Sequence, residues 1–210
     1  MNLVGLTLDQ FVRLLASDKP APGGGSVAAL AAALSAALCA MVARLTVGKE
    51  KYREGWEAME KVRDAADELA REFLNLVEQD TEAYNEVLAA VKLPKETEAQ
   101  RSFCQQAIEN ATQHAAAVPL ATLEHLSRVP DLLREALERG NPNCLTDAGV
   151  AVQLVRAAAV GAAYNVRINL SGIKNGELVQ AMSARMAEFR AQVERATGEL
   201  EQLVDQRLNS

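Results

Sequence analysis

Apolar residues recur along almost the whole chain at steps of three and four, the spacing of one face of an α-helix. Nowhere does the pattern compete as the strict alternation of a half-buried strand. Thr7 is a preferred cap for a short helix from Leu8 to about Ala16, with Phe11, Leu14 and Leu15 on one face. Pro20-Ala21-Pro22-Gly23-Gly24-Gly25-Ser26 cannot continue it, and Ser26 is expected to cap a second helix running to about Val47. In that helix Val27, Leu30, Leu34, Leu38, Met41 and Leu45 make one bulky stripe, and the alanines between them offer a smooth surface for close helix packing. Lys49 to Arg53 reads as a charged turn. A long helix follows from about Gly55 to Lys92, ended by Leu93-Pro94, because the residue before proline disfavours the α region.

Glu96 to about Arg128 is helical again, and Pro119 is expected to kink it. A short helix over Asp131–Glu138 stops at Gly140, and Asn141-Pro142-Asn143-Cys144 is a turn. Two more helices run from near Thr146 to about Asn169 and from about Gly176 to Leu208. With no fixed-period repeat and no linker, residues 1–210 read as a single all-α domain, an antiparallel helix bundle.

Size and composition support that reading. A chain of 210 residues buries a substantial core as one domain, and its wealth of Ala and Leu with only 4% aromatics favours helix over sheet. The net charge of −6 argues against a nucleic-acid surface. Cys39, Cys104 and Cys144 are odd in number and contain no CxxC, as expected for buried free thiols in a reducing cytoplasm. The first residues lack the basic segment of a secretory signal. The apolar stretch Val27–Val47 is alanine-rich and carries Arg44, so burial in a bundle or at a subunit interface is expected rather than a membrane span.

Several kinds of site are missing. Gly48-Lys49 is followed by Glu50 and lacks the first glycine of a phosphate loop, and Gly24-Gly25-Ser26-Val27-Ala28 fails the nucleophile elbow at its last position. The two histidines, His114 and His125, form no HExxH, so no metal is expected.

What remains is polar residues set into apolar helices. Asp80 and Tyr84 are four apart on one helix face, with Lys92 further along roughly the same face. A carboxylate, a phenol and an ammonium in one line suit proton transfer and ligand anchoring, and a solvated polar stripe has the same spacing. Asn141 and Asn143 place two carboxamides in a turn just before Asp147, which either favours the helix dipole or serves a site. Asn165 and Asn169 add amides inside an apolar helix, and buried amides need partners, each other or a polar ligand. The Gly23–Ser26 elbow can approach a ligand closely at a helix N-terminus, or be a plain cap.

Three segments, Pro20–Leu38, Asp80–Lys95, and Gly140–Ala151 with Gly161–Leu170, together resemble the cyclodeaminase/cyclohydrolase family of folate enzymes. That family comprises the C-terminal domain of bifunctional formiminotransferase-cyclodeaminase and stand-alone bacterial methenyltetrahydrofolate cyclohydrolases. The resemblance covers essentially the whole chain and no transferase domain, so it implies the second activity of the bifunctional enzyme alone. It implies a cytoplasmic, helical homodimer that takes a tetrahydrofolate derivative as substrate, without metal, nucleic acid or membrane, alongside a separate formiminotransferase.

On this resemblance Asp80 is the leading acid/base or cation-stabilising group and Asp147 its rival. Tyr84, Asn141, Asn143 and Asn165 would hold the pterin and the reacting carbon. Lys92 would assist or bind the acidic tail. Gly23, Gly24, Gly25 and Ser26 would lie against the folate, presenting N–H groups to a glutamyl carboxylate. Cyclodeaminase is the first expectation and cyclohydrolase the alternative. A non-catalytic folate-binding or scaffold subunit is the reading from a different class.

Overall fold

The computed structural model describes residues 2–209. Seven α-helices account for most of them: α1 Leu8–Leu15, α2 Gly24–Arg44, α3 Trp56–Val91, α4 Glu98–Leu126, α5 Val129–Arg139, α6 Leu145–Leu170 and α7 Gly176–Leu208. Short 3-10 turns at Glu50–Gly55 and Pro142–Cys144 replace the charged turn and the asparagine turn. No strand occurs among the described residues.

Local chemistry sets most of the boundaries. Thr7 with Gln10 and Thr97 with Gln100 each form a reciprocal capping box that satisfies backbone N–H groups at the starts of α1 and α4. Asn175 caps α7 through the Leu178 N–H. The expected cap at Ser26 is a correction: the cap position is Gly23, and Ser26 lies inside the first turn of α2, fully buried. Its hydroxyl is drawn away from the local backbone by a tertiary partner, described below. Pro119 is carried, buried, inside α4 without ending it.

α2 lies at the centre, packed chiefly against α3 and α6, while α4 packs on α3 and α6, and α7 on α6. Cross-helix pairs fix the antiparallel register. Ser26 meets Asp80 at one end of the α2/α3 contact, and Arg44 meets Asp67 toward the other. Both histidines of α4 join α3, His114 to Glu86 at 2.7 Å and His125 to Glu72 at 2.9 Å.

The inward face of α2 is alanine, with Ala28, Ala29, Ala32, Ala36, Ala40 and Ala43 all buried. A Cβ on Gly161 of α6 would lie 3.2 Å from that of Ala28, so the two helices approach at nearly backbone distance. Of the larger residues, Val42 is buried and Leu30 and Leu38 pack partly on the core, while Val27, Leu34 and, at the C-terminal cap, Leu45 are exposed.

The turn before α6 is pinned to the C-terminal end of α2. Asn141 is buried; its backbone N–H donates to Thr46 Oγ1 at 2.8 Å, and its side-chain amide donates to the Leu45 carbonyl at 3.2 Å. Its side-chain oxygen accepts from the Asn143 N–H at 3.1 Å. Replacing Asn141 with Ala keeps the backbone bond to Thr46 but removes the partners of the Leu45 carbonyl and the Asn143 N–H, and we expect a loss of about 1–3 kcal/mol of stability. Thermal melting checks this; an unchanged midpoint would mean the turn is held by other contacts.

Candidate active site

The polar cluster of interest forms where the first turn of α2 meets the middle of α3. The Ser26 hydroxyl donates to Asp80 Oδ2 at 2.7 Å and lies 3.2 Å from Thr81 Oγ1. The Asp80 carboxylate presses so closely on the helix that a Cβ built on Gly25 would fall 2.0 Å from Oδ1 and 2.6 Å from the carboxyl carbon. Only glycine fits there. Side chains at Gly24 would instead meet Asn165 Nδ2 at an ordinary 3.5 Å.

Electrostatics at Asp80 pull in two directions. Burial pushes its carboxyl above the ordinary aspartate range, and hydrogen bonds from the Ser26 side chain and main chain pull it back without cancelling the rise. A half-buried carboxylate of raised pKa, with one side held by a hydroxyl, suits proton exchange. The anion that the first turn of α2 faces is thus the protein's own Asp80, where a substrate carboxylate was expected.

Asn165, in α6, stands beside Gly24 with its amide donating to the Gly161 carbonyl at 2.8 Å. Its side-chain oxygen accepts no hydrogen bond among the described residues, leaving an acceptor near the site. Tyr84, one turn beyond Asp80, is 36% exposed and so reachable from solvent. Gly23, Gly24, Gly25, Ser26, Asp80, Tyr84 and Asn165 therefore belong to one region.

The other expected residues do not converge on it within one chain. Asn141 and Asn143 sit beyond the far end of α2, about 30 Å away at 1.5 Å per residue. Asp147 is in the first turn of α6, on the order of 27 Å along that helix from Asn165. There it adds to the burial that raises the Cys144 thiol. The amide of Asn169 is tied to the Ala115 carbonyl of α4 at 2.6 Å, a structural link. Lys92 caps α3 roughly 18 Å along the axis from Asp80, too far to assist at the same atom.

A cleft of about 850 Å³, lined by Lys51, Arg53, Glu54, Arg139 and neighbours, also opens beyond the C-terminal end of α2, away from Asp80. The half-buried, hydrogen-bonded carboxylate of Asp80 is not part of that cleft's lining. No group of three or more potential metal-ligating side chains occurs among the described residues.

Comparison with known proteins gives this region its context. Residues 7–188 match the family model described as formiminotransferase-cyclodeaminase. A methenyltetrahydrofolate cyclohydrolase of Methylorubrum extorquens is 36% identical over 193 residues, covering 90% of this chain and 93% of that protein. The formimidoyltransferase-cyclodeaminase of Rattus norvegicus is 33% identical over 95% of this chain, which spans only 38% of that longer protein. The crystal structure of a formiminotetrahydrofolate cyclodeaminase from Thermotoga maritima superposes with a TM-score of 0.86 at 28% identity, covering 97% of this chain and 98% of that one.

Fold and relatives together define a helical-bundle enzyme of folate one-carbon metabolism. The chain belongs to the formiminotransferase-cyclodeaminase family.

Proposed function

We propose that the protein is a formiminotetrahydrofolate cyclodeaminase that uses Asp80 as its proton-handling group. The carrying observation is the Asp80 carboxylate, half-buried, raised in pKa and seated on Gly25 and Ser26. N10 of protonated 5-formiminotetrahydrofolate attacks the formimino carbon, and ionised Asp80 takes the N10 proton. The tetrahedral carbon then bears an amino group, N5 and N10. Asp80 returns the proton to the amino group, the C–N bond breaks, and ammonia leaves the 5,10-methenyl cation. Charge balances at each step, and the carboxylate also stabilises both cations.

Tyr84 and Asn165 would orient the pterin and the reacting carbon, Gly23 and Gly24 would let it approach the helix, and Lys92 would meet the acidic tail. The substrate would come from a formiminotransferase, and three buried free thiols suit the cytoplasm. A metal has no part in this reading.

The Methylorubrum relative, matched over nearly its full length, favours a second reading: cyclohydrolase. Water would add to the methenyl carbon, with Asp80 taking one of its protons and returning it to N5 as the C–N5 bond opens, and the remaining hydroxyl proton passing to solvent to leave neutral 10-formyltetrahydrofolate. Near-ultraviolet assays on each substrate separate the readings. Methenyl absorbance appearing with ammonia supports the first, and its loss faster than in buffer supports the second. A folded protein that changes neither overturns both and favours a binding or scaffold role.

We further propose that the working unit is a homodimer joined through α2 and α6. Two stretches, Gly24–Arg44 and Pro142–Leu170, are long and apolar enough to cross a membrane, yet most of the first is buried in the bundle. The exposed large apolar residues include Val27 and Leu34 on α2, Leu45 at its C-terminal cap, and Val150, Tyr164 and Ile168 on α6, and these two helices pack side by side. A second copy would cover such a face. Leu34→Lys is expected to turn a dimer into a folded monomer in sedimentation velocity; a monomeric parent protein would refute the interface.

A further inference from the structure

Thr81 does something that Thr46, just past the end of α2, and the helical Thr112, Thr122 and Thr197 do not. Thr46, Thr112, Thr122 and Thr197 each turn the hydroxyl back onto the carbonyl four residues earlier. Thr81 instead brings its Oγ1 to 3.2 Å from Ser26 Oγ on a different helix. Ser26 has one hydroxyl proton, and that proton is committed to Asp80 Oδ2 at 2.7 Å when the carboxylate is ionised. The contact with Thr81 must then run from Thr81 as donor to Ser26 as acceptor.

We propose that Thr81 is a positioning residue for Asp80, acting through Ser26 as the far end of a reversible hydroxyl chain. With Asp80 ionised, the chain runs Thr81 to Ser26 to carboxylate. Once Asp80 holds a proton on Oδ2, it donates to Ser26, and Ser26 donates to Thr81. Ser26 and Thr81 therefore keep each other as partners in both states, and the carboxyl group stays held by Ser26 in either one. No bond other than O–H is made or broken, and no further reactant is required. The proposal rests on Asp80 being the proton-handling group, as proposed above.

The chain favours the ionised carboxylate, because a hydroxyl that is itself receiving a hydrogen bond donates more strongly, and charge-assisted bonds are the stronger kind. Its removal should therefore make Asp80 easier to protonate. The direct test is a carbon-13 NMR titration of the Asp80 carboxyl in the free protein, for the parent chain, Thr81→Val and Thr81→Ser. Thr81→Val is expected to raise the midpoint by about half a unit, roughly threefold in the protonation equilibrium, and Thr81→Ser to restore it. Thr81→Ala, which also lacks the hydroxyl and needs no added space, replaces Thr81→Val if the latter does not fold.

In the assays, the acid limb of the kcat/KM profile should move up in pH with Thr81→Val while KM stays within about twofold of the parent. A midpoint unmoved in both hydroxyl-free variants overturns the relay, whatever the activity. A shifted midpoint in a protein with no folate turnover upholds the relay and refutes the functional reading instead.

Discussion

Asp80→Asn is expected to lower turnover at least about a hundredfold, the usual scale for a group that transfers a proton in the transition state. The amide can still accept the Ser26 hydroxyl that now donates to Oδ2 at 2.7 Å, so the local hydrogen bond survives while the base is lost. Stability should not suffer. A carboxyl whose pKa is raised by burial binds its proton more readily in the folded state than in the unfolded chain. Folding is thus favoured most below the unfolded pKa, and that advantage is lost as pH rises through the folded one. At neutral pH the ionised group is a net burden that asparagine does not carry. Thermal melts at pH 7 alongside steady-state rates check both halves. A variant that keeps nearly full turnover, while Asp147→Asn loses it, would move the chemistry to the start of α6.

Gly25→Ala should be nearly as damaging with a single methyl group. Its Cβ would stand 2.0 Å from Asp80 Oδ1, far inside any real contact, so the carboxylate must swing away or the turn must lift. Misplacing a reacting group by about 1 Å costs on the order of a hundredfold. Gly24→Ala is the matched control. Its Cβ meets Asn165 Nδ2 at 3.5 Å, an ordinary contact, and activity should fall no more than a few-fold, about 1 kcal/mol at most in the barrier. Circular dichroism and kcat on the pair separate lost geometry from lost fold. Equal activity in the two variants would mean that Asp80 is not held against Gly25 during turnover.

The helices were legible because their signals are local. Thr7 and Thr97 form their caps with residues three positions on, and Leu93-Pro94 closes α3 within two residues of the observed end. Ser26 was misread for the converse reason. Its hydroxyl looks like a cap by residue type, but the partner is Asp80, 54 positions away, and no local rule reveals that distance.

The asparagines divide in the same way. Asn141 and Asn169 are amides in need of partners, and both find backbone carbonyls of neighbouring helices, a demand the sequence posed without saying what would answer it. Asp80 and Tyr84 were visible as one helix face. Thr81 was in plain view beside Asp80, but only the register of α2 on α3 shows which hydroxyl it meets.

The measurement that bears most directly on the account is a crystal structure with a stable reduced folate, 5-formyltetrahydrofolate, bound. The expected result places its one-carbon group within hydrogen-bond distance of the Asp80 carboxylate, beside Tyr84 and Asn165, at the N-terminal end of α2. Ligand found instead at Asn141, Asn143 and Asp147, with the Asp80 region empty, would contradict it.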